Sequence, residues 1–250
     1  LRFGGRAHNA AELKQVAALG LAFAEISATR DGGLFDSPGE LVRAAKRWGL
    51  TYLVHAPNEG DPCELERLEG TFFQKILRLI DLCADIRADL LTVHFWMDSR
   101  FLAEHVVRRK REIFARMARH GARKGVSVCL ENLSERPEDL EPLMAACPEA
   151  GLTLDVGHGE LFAPRNRAFE YIAQWPWWIR HVHVHDNLGG DRVEADRHLP
   201  IGEGVIDFPT IFAALIAAGY AGRVTLEVPL EDLEPSVRRL QGIIERCNRK

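Results

Sequence analysis

The sequence predicts a parallel (β/α)8 barrel, an α/β fold, and three observations carry that prediction. Short apolar runs rich in β-branched residues alternate with amphipathic helical patterns along the whole chain. Those runs end on residues of metal-ligand type: Glu25, His55, His94, Glu131, Asp155, His158, His183 and Glu227. A length of 250 residues is that of one such barrel, whose active site forms where strands end and βα loops begin.

Strand one is the opening LRF, followed by a helix over AAELKQVAAL. The later strands are LAFAEIS (21–27), YLVHAP (52–57), LLTVHFW (90–96), SVCLEN (127–132), LTLDVGH (152–158), IRHVHVHD (179–186) and RVTLEV (223–228). Each is almost uninterruptedly apolar, as a strand buried on both faces must be. Between them lie GELVRAAKRW, FFQKILRLIDLCADI, FLAEHVVRRKREIFARMARHG, RPEDLEPLMAAC and FPTIFAALIAAG, with EPSVRRLQGIIERC (234–247) closing the series. Apolar residues three and four apart mark these as helices packed on the sheet. A doubly wound open sheet would need a Gly-rich first turn and about six strands. Neither is visible. With no Pro/Gly/Ser linker and no repeat beyond the β/α period, residues 1–250 read as one domain.

Composition sets the class. Lys plus Arg total 32 against 36 Asp plus Glu, a formal charge of −4, with 46% hydrophobic residues, as in an ordinary soluble globular chain. No apolar stretch approaches the ~18–20 residues that cross a bilayer, and the N-terminus does not read as a secretory signal. The five scattered cysteines show no CxxC spacing, which fits a reduced cytoplasmic compartment.

The chemistry lies at the strand ends. Glu131 closes an apolar run, where a carboxylate is costly unless paired or metal-bound. Asp155 is similarly placed, with His158 three residues on, His183 lies on a strand face shared with positions 181 and 185, and Glu227 ends the eighth strand. Two glutamates, an aspartate and a histidine converging at a barrel mouth suit Mn, Mg, Co or Zn. His55 and His94, with His158, Asp196 and His198, can gather beside them and complete a site of two or three ions. Asp196 and His198 point the same way if their loop is extended.

The strings VHAP, LTVH, CLEN, LTLDVGH, HVHVHD, DRHLPIGEGVIDF and TLEV, in this order and spacing, resemble the xylose-isomerase-like barrels. That superfamily joins sugar and sugar-phosphate isomerases and epimerases to the metal-dependent abasic-site endonucleases of AP endonuclease family 2. The resemblance covers essentially the whole chain. It implies that Glu131, Asp155, His183 and Glu227 match the single-metal set of the ketose epimerases. It also implies that His55, His94, His158, Asp196 and His198 match the positions that make the endonuclease site trinuclear.

Other residues read more plainly. Glu25 is placed to contact a substrate hydroxyl or to cap the barrel mouth, and Trp96 lies where a sugar ring could stack. His181 reads as structural, and His8, His105 and His120 as surface or turn residues. Trp48, Trp175, Trp177 and Trp178 read as packing. RRKR at 108–111 spreads over all faces of an outer helix and reads as a solvated surface.

The loops order the functional readings. NEGDPCELERLEG after strand three and SERPEDLE after strand five are acidic and would repel a DNA backbone. No basic, wedge-bearing loop that could hold bent DNA is visible. A carbohydrate needs neither, so the expected activity is a metal-dependent sugar or sugar-phosphate isomerase or epimerase of carbohydrate metabolism. In it Glu131 and Glu227 move a proton beside a carbonyl through an enediolate. An abasic-site endonuclease with a Zn cluster is the runner-up. A dehydratase of an inosose or dehydroshikimate type, or a barrel that binds without catalysis, completes the alternatives.

Overall fold

In the computed structural model, which describes residues 1–28 and 34–247, eight parallel strands close on themselves in the order β1 to β8. They are β1 (Arg2–Ala7), β2 (Phe23–Ser27), β3 (Thr51–His55), β4 (Leu90–Val93), β5 (Ser127–Glu131), β6 (Gly151–Asp155), β7 (Ile179–Val184) and β8 (Arg223–Leu226). The first strand extends well past LRF, and that extension brings Arg6 into the barrel mouth. Its glycines explain why apolar content alone understates it. A Cβ on Gly4 would lie 2.4 Å from the Phe23 ring, so the strand is locally bare to admit that ring.

The outer ring comprises α1 (Ala10–Ala18), α2 (Pro38–Trp48), the short α3 (Leu65–Arg67), α4 (Phe73–Asp85) and α5 (Glu104–Lys124). It continues with α6 (Pro137–Ala146), α7 (Ala168–Gln174), α8 (Phe208–Ala217) and α9 (Leu230–Cys247). Their ends carry their own signals. Asn9 accepts from the Ala11 and Glu12 amides at 3.0 Å, Asp207 accepts from Thr210, and Gly49 and Gly125 end α2 and α5 in the left-handed region. The sequence reading lacks α7, whose seven residues are too few to display a period. None of the helices is long and apolar enough to cross a membrane, among the described residues.

Inside the barrel, the two-residue strand period stacks side chains in layers. Phe23, Leu53, Leu90 and Cys129 form an apolar plug. Two residues further along the strands lies a buried polar layer, with Thr92 against Thr153 at 2.9 Å and His181 between Thr225 (2.9 Å) and Glu25 (3.0 Å). One step of two past Leu53 and Cys129 brings His55 and Glu131 to the mouth, and one step past Thr153, His181 and Thr225 brings Asp155, His183 and Glu227 there. A register shift between Leu152 and Thr153 sets Asp155 opposite His183. His181 is thus structural, as expected.

Two readings of burial are corrected. Lys110, within RRKR, is fully buried: its Nζ lies 2.6 Å from Glu59 and 4.5 Å from the centre of the Phe95 ring. Its neighbours in that run have different outlets, with Arg109 on Glu69 and Glu112, and Arg111 on the Asp139 carbonyl. The inward face of the helix here carries the lysine. Trp177, read as packing, is 62% exposed in the turn Pro176–Trp178, whereas Trp175 is buried.

The acidic loops are correspondingly less acidic than their composition. Glu59 is spent on Lys110 and on the Trp96 amide, Glu64 on Arg67, and Glu69 on Arg109 and Arg116. Glu135 is buried and accepts the Met97, Leu133 and Ser134 amides, and Asp139 is held by Ser99 and Arg136. Lys110→Ala should cost about 3–5 kcal/mol, because it strands the Glu59 charge in the interior, while Lys110→Met combined with Glu59→Gln should restore most of that loss. Urea unfolding of the single and double variants checks this; a single variant as stable as the parent contradicts it.

Candidate metal centre and active site

At the mouth, single ligand atoms of Glu131, Asp155, His183 and Glu227 all lie within 4.8 Å of one another, and all four residues are buried. His183 Nδ1 is the hub, 3.2 Å from Glu131 Oε1, 3.3 Å from Glu227 Oε1 and 3.8 Å from Asp155 Oδ2. Its other nitrogen lies 2.9 Å from Glu25 Oε2, so Glu25 accepts a hydrogen bond from Nε2–H and leaves Nδ1 turned to the acids. Glu25 itself is fully buried, its oxygens engaged by His181 and His183. It lies behind His183, and what the structure shows for it is these contacts with the two histidines in place of the substrate hydroxyl or mouth cap expected from its strand-end position. A strand-end count could not show this, because Glu25 lies two residues before the end of its strand.

Glu131 reaches beyond this nest. Its Oε2 lies 3.1 Å from His55 Nε2 and 2.9 Å from His94 Nε2, forming a second group. A third contains His158, His185, Asp196 and His198. Asp196 Oδ2 lies 3.2 Å from Nε2 of both His158 and His198, and Asp155 Oδ1 lies 3.2 Å from His185 Nε2. All the ligand positions expected from the sequence therefore converge.

Local motifs fix their directions. His55 Nδ1 donates to the Ala56 carbonyl at 2.8 Å, His158 Nδ1 to that of Asn132 at 3.0 Å, and His198 Nδ1 to that of Glu227 at 2.8 Å. In each ring the backbone holds the Nδ1 proton and presents Nε2 to a carboxylate. The Asn132 side chain pairs with both backbone groups of Asp155, at 2.8 and 2.9 Å. Asp186 accepts the Gly202 and Ile206 amides and Asn187 accepts the Arg197 amide, which folds the IGEG segment back over β7. Asp196 and His198 meet through a left-handed turn (φ 47° at His198) and not through the extended pair expected of residues two apart.

Two members escaped the sequence reading. Arg6 Nη1 pairs with Glu227 at 3.0 Å while its Nε donates to Ser27, but the shortened first strand left it outside. His185 shares the alternation of His181 and His183, which was the available signal. Its ring stacks 3.9 Å from that of His198, and a Cβ on Gly157 would fall 2.1 Å from it.

The electrostatics are those of acids and imidazoles sharing protons. Burial drives Glu131 upward, but His94 and His183 outweigh it and hold the carboxylate well below its usual range. Burial likewise opposes ionisation of Asp155, yet His158 and His185 bring it down to about 2. Against the same burial, Glu25 and the nest acids raise His183 well above its ordinary value, and Asp155 and Asp196 do so for His158. Burial also opposes protonation of His198, which Asp196 and Glu227 nonetheless lift to about 9.

A divalent cation fits this donor set. Asp155 Oδ2, Glu227 Oε1 and both ring nitrogens of His185 are buried without hydrogen-bond partners, in a region where acceptors face acceptors. Glu131, Asp155, His183 and Glu227 would hold one ion, and the two flanking groups supply ligands for others.

His94, His158 and Asp196 of the flanking groups reach the wall of a cavity of about 620 Å³ that is also lined by Trp96, Phe101, Leu133 and Phe162, among others. Trp96 Nε1 donates to Ser134 at 2.8 Å, and its amide to Glu59 at 2.8 Å, so the ring stands fixed in the wall, where a sugar face could meet it.

Comparison with known proteins decides the lineage: residues 13–247 match the family model of the xylose isomerase-like TIM barrel. The chain belongs to that family. It is similar to the uncharacterized protein MJ1311 of Methanocaldococcus jannaschii, 25% identical over 228 residues that cover 84% of this chain and 75% of that protein. Among solved structures, the TTHB071 protein from Thermus thermophilus, soaked with ZnCl2, is 25% identical, with TM-score 0.79 over 98% of this chain and 99% of that one. A D-tagatose 3-epimerase-like protein superposes with TM-score 0.85 at 22% identity over 100% and 99% of the two chains. At that identity it speaks for the fold.

Two outcomes follow from the geometry. Glu25→Gln should weaken Mn binding about 10–100-fold with the fold intact, because an amide no longer fixes the His183 tautomer. Calorimetric titration of metal-stripped protein measures it, and unchanged affinity removes that role. Loading Mn at pH 7 should release protons, since His198, pushed up to about 9, and His158 and His183 must give theirs up. Affinity should therefore rise with pH toward about 9. Titrations in buffers of different ionisation heat detect the release, and metal uptake without it contradicts the ligand assignment.

Proposed function

We propose that this protein is a divalent-metal-dependent isomerase or epimerase of a carbohydrate that carries a carbonyl group. One observation carries the reading: Glu131 and Glu227, from β5 and the end of β8, approach the same His183 nitrogen within 3.2 and 3.3 Å from different strands. Two carboxylates on a common centre, beside a cavity whose wall His94, His158 and Asp196 reach, are what proton transfer between neighbouring carbons or between faces of one carbon requires.

In this mechanism one glutamate removes the proton next to the carbonyl and the other returns one after the enediolate forms. Arg6, paired with Glu227, holds that carboxylate in place and, against the effect of burial, favours its ionised form. Trp96 and the cavity wall exclude water and orient the ring. A divalent cation, when bound, supplies positive charge beside the substrate oxygens. Folds described as a D-tagatose 3-epimerase-like protein and an L-ribulose 3-epimerase (16% identity, TM-score 0.81) are compatible with this reading without establishing it.

A second reading, phosphodiester hydrolysis at abasic sites by a three-ion centre, is favoured by the two ligand groups flanking the nest. The lining of the cavity supports the carbohydrate over it, since among the described residues neither Lys nor Arg lines the space where a phosphate backbone would lie. This replaces the argument from loop acidity, because several of those acids are spent on cations of α5 or on neighbouring loop groups.

Solvent deuterium should enter the carbon beside the carbonyl of a ketose or ketose derivative when it is incubated with Mn-loaded protein, and abasic duplex DNA should stay intact. Glu131→Gln and Glu227→Gln should each lower the exchange rate about 10²–10⁴-fold. Nicking of abasic DNA with no exchange across a ketose panel would overturn the proposal in favour of the hydrolytic reading.

A further inference from the structure

The wall of the cavity is far more apolar than a free polyol requires. Trp96 stacks on Phe101 with centroids 5.7 Å apart, and Phe101 meets Phe162 edge-on at 6.4 Å. Leu133, Leu161 and Val193 extend the same wall. Phe101 is 56% exposed and Val193 77%, and they belong to the loops after β4 and β7. Leu188 and Val205 are also exposed on the β7 loop, so four of the six large apolar residues exposed among the described residues lie on loops at the catalytic end. Exposed apolar surface gathered in one place marks a binding face.

This wall is built and held. Phe162 adopts φ 53°, a left-handed conformation costly for an aromatic residue, and its amide is fixed at 2.7 Å on the Gly190 carbonyl. Trp96 is pinned at its amide by Glu59, which the buried Lys110 holds, and at its ring by Ser134. Among the described residues, no Lys or Arg lines the space. The neighbouring Arg100 is engaged by Asp98 and the Ser134 carbonyl, and Arg6 by Glu227. A terminal phosphate would find no partner in this wall, whereas an aryl or alkyl group would find three aromatic rings. A volume of about 620 Å³ exceeds what a bare monosaccharide fills and falls in the ~300–1,000 Å³ range of pockets for drug-sized ligands.

We infer that the substrate is an unphosphorylated carbohydrate bearing an apolar substituent, such as an aryl or alkyl glycoside whose sugar ring carries a keto group on a carbon other than the acetal one, with the sugar on the ligand nest and the substituent between Trp96, Phe101 and Phe162. The inference rests on the carbohydrate reading above. It places specificity in Phe101 and Phe162, which contribute no ligand to the nest.

The test is calorimetric binding to Mn-loaded protein of methyl β-D-glucoside, phenyl β-D-glucoside, glucose 6-phosphate and benzyl alcohol. The phenyl glucoside should bind at least about tenfold more tightly than the methyl glucoside, since a phenyl ring that leaves water contributes at least about that factor. The phosphate should show no gain, and Phe101→Ala should bring the two glucosides within about twofold. Equal affinity for methyl and phenyl glucosides, or preference for the phosphate, overturns the inference and leaves the carbohydrate reading standing. Benzyl alcohol bound as tightly as the phenyl glucoside, or no binding of any probe, overturns both. Self-association that buries Phe101, broken by Phe101→Glu and indifferent to the phenyl glucoside, also overturns it.

Discussion

Inside the mouth of this barrel, nitrogen lone pairs are locked against carboxylate oxygens, and the arrangement is tenable only with positive charge between them. His55, His158 and His198 donate their Nδ1–H groups to backbone carbonyls, and His183 its Nε2–H to Glu25. What remains facing inward is a shell of acceptors taken out of water. Protons can fill it, which is why His158, His183 and His198 hold theirs so firmly, or a cation can. The two are in direct competition, so the state of the site is set by metal supply and pH together.

The fold serves that constraint in layers. An apolar plug seals the lower barrel and a threonine and histidine layer stands above it. The strand period then delivers ligands from β3, β5, β6 and β7 to one level, with His94 and Glu227 just past β4 and β8. Loop acids that look like surface charge serve the same end. Glu59 with Lys110 and Glu135 with three amides hold the β3, β4 and β5 loops to one another, and so set the cavity wall. A buried charge pair of this kind contributes definition of the loops more than net stability.

Much of this was legible in the sequence, and the failures have physical causes. Long periodic segments such as that of α5 and the β-branched runs declare themselves, and Glu131, Asp155, His183 and Glu227 could be placed because strand ends converge in a barrel. Arg6 was missed because a strand thinned by glycines does not read as apolar. His185 went unnamed although it alternates with His181 and His183. Glu25 was read as a strand-end residue although its own run continues to Ser27, where β2 stops. Lys110 and Glu59 could not be paired from sequence, because their contact joins segments 51 residues apart through an interior that charged residues seldom enter. The left-handed residues Phe162 and His198 leave no compositional trace, as neither is glycine.

The central claim is that the four-residue nest around His183 is a cation site and not a buried network of shared protons. Anomalous diffraction at the manganese edge, from crystals soaked in MnCl2 near neutral pH, tests it most directly. The account predicts a peak bounded by Glu131, Asp155, His183 and Glu227, with any further peaks beside His55 and His94 or beside Asp196 and His198. Peaks confined to surface carboxylates, with the His183 nest holding no anomalous density, would contradict it.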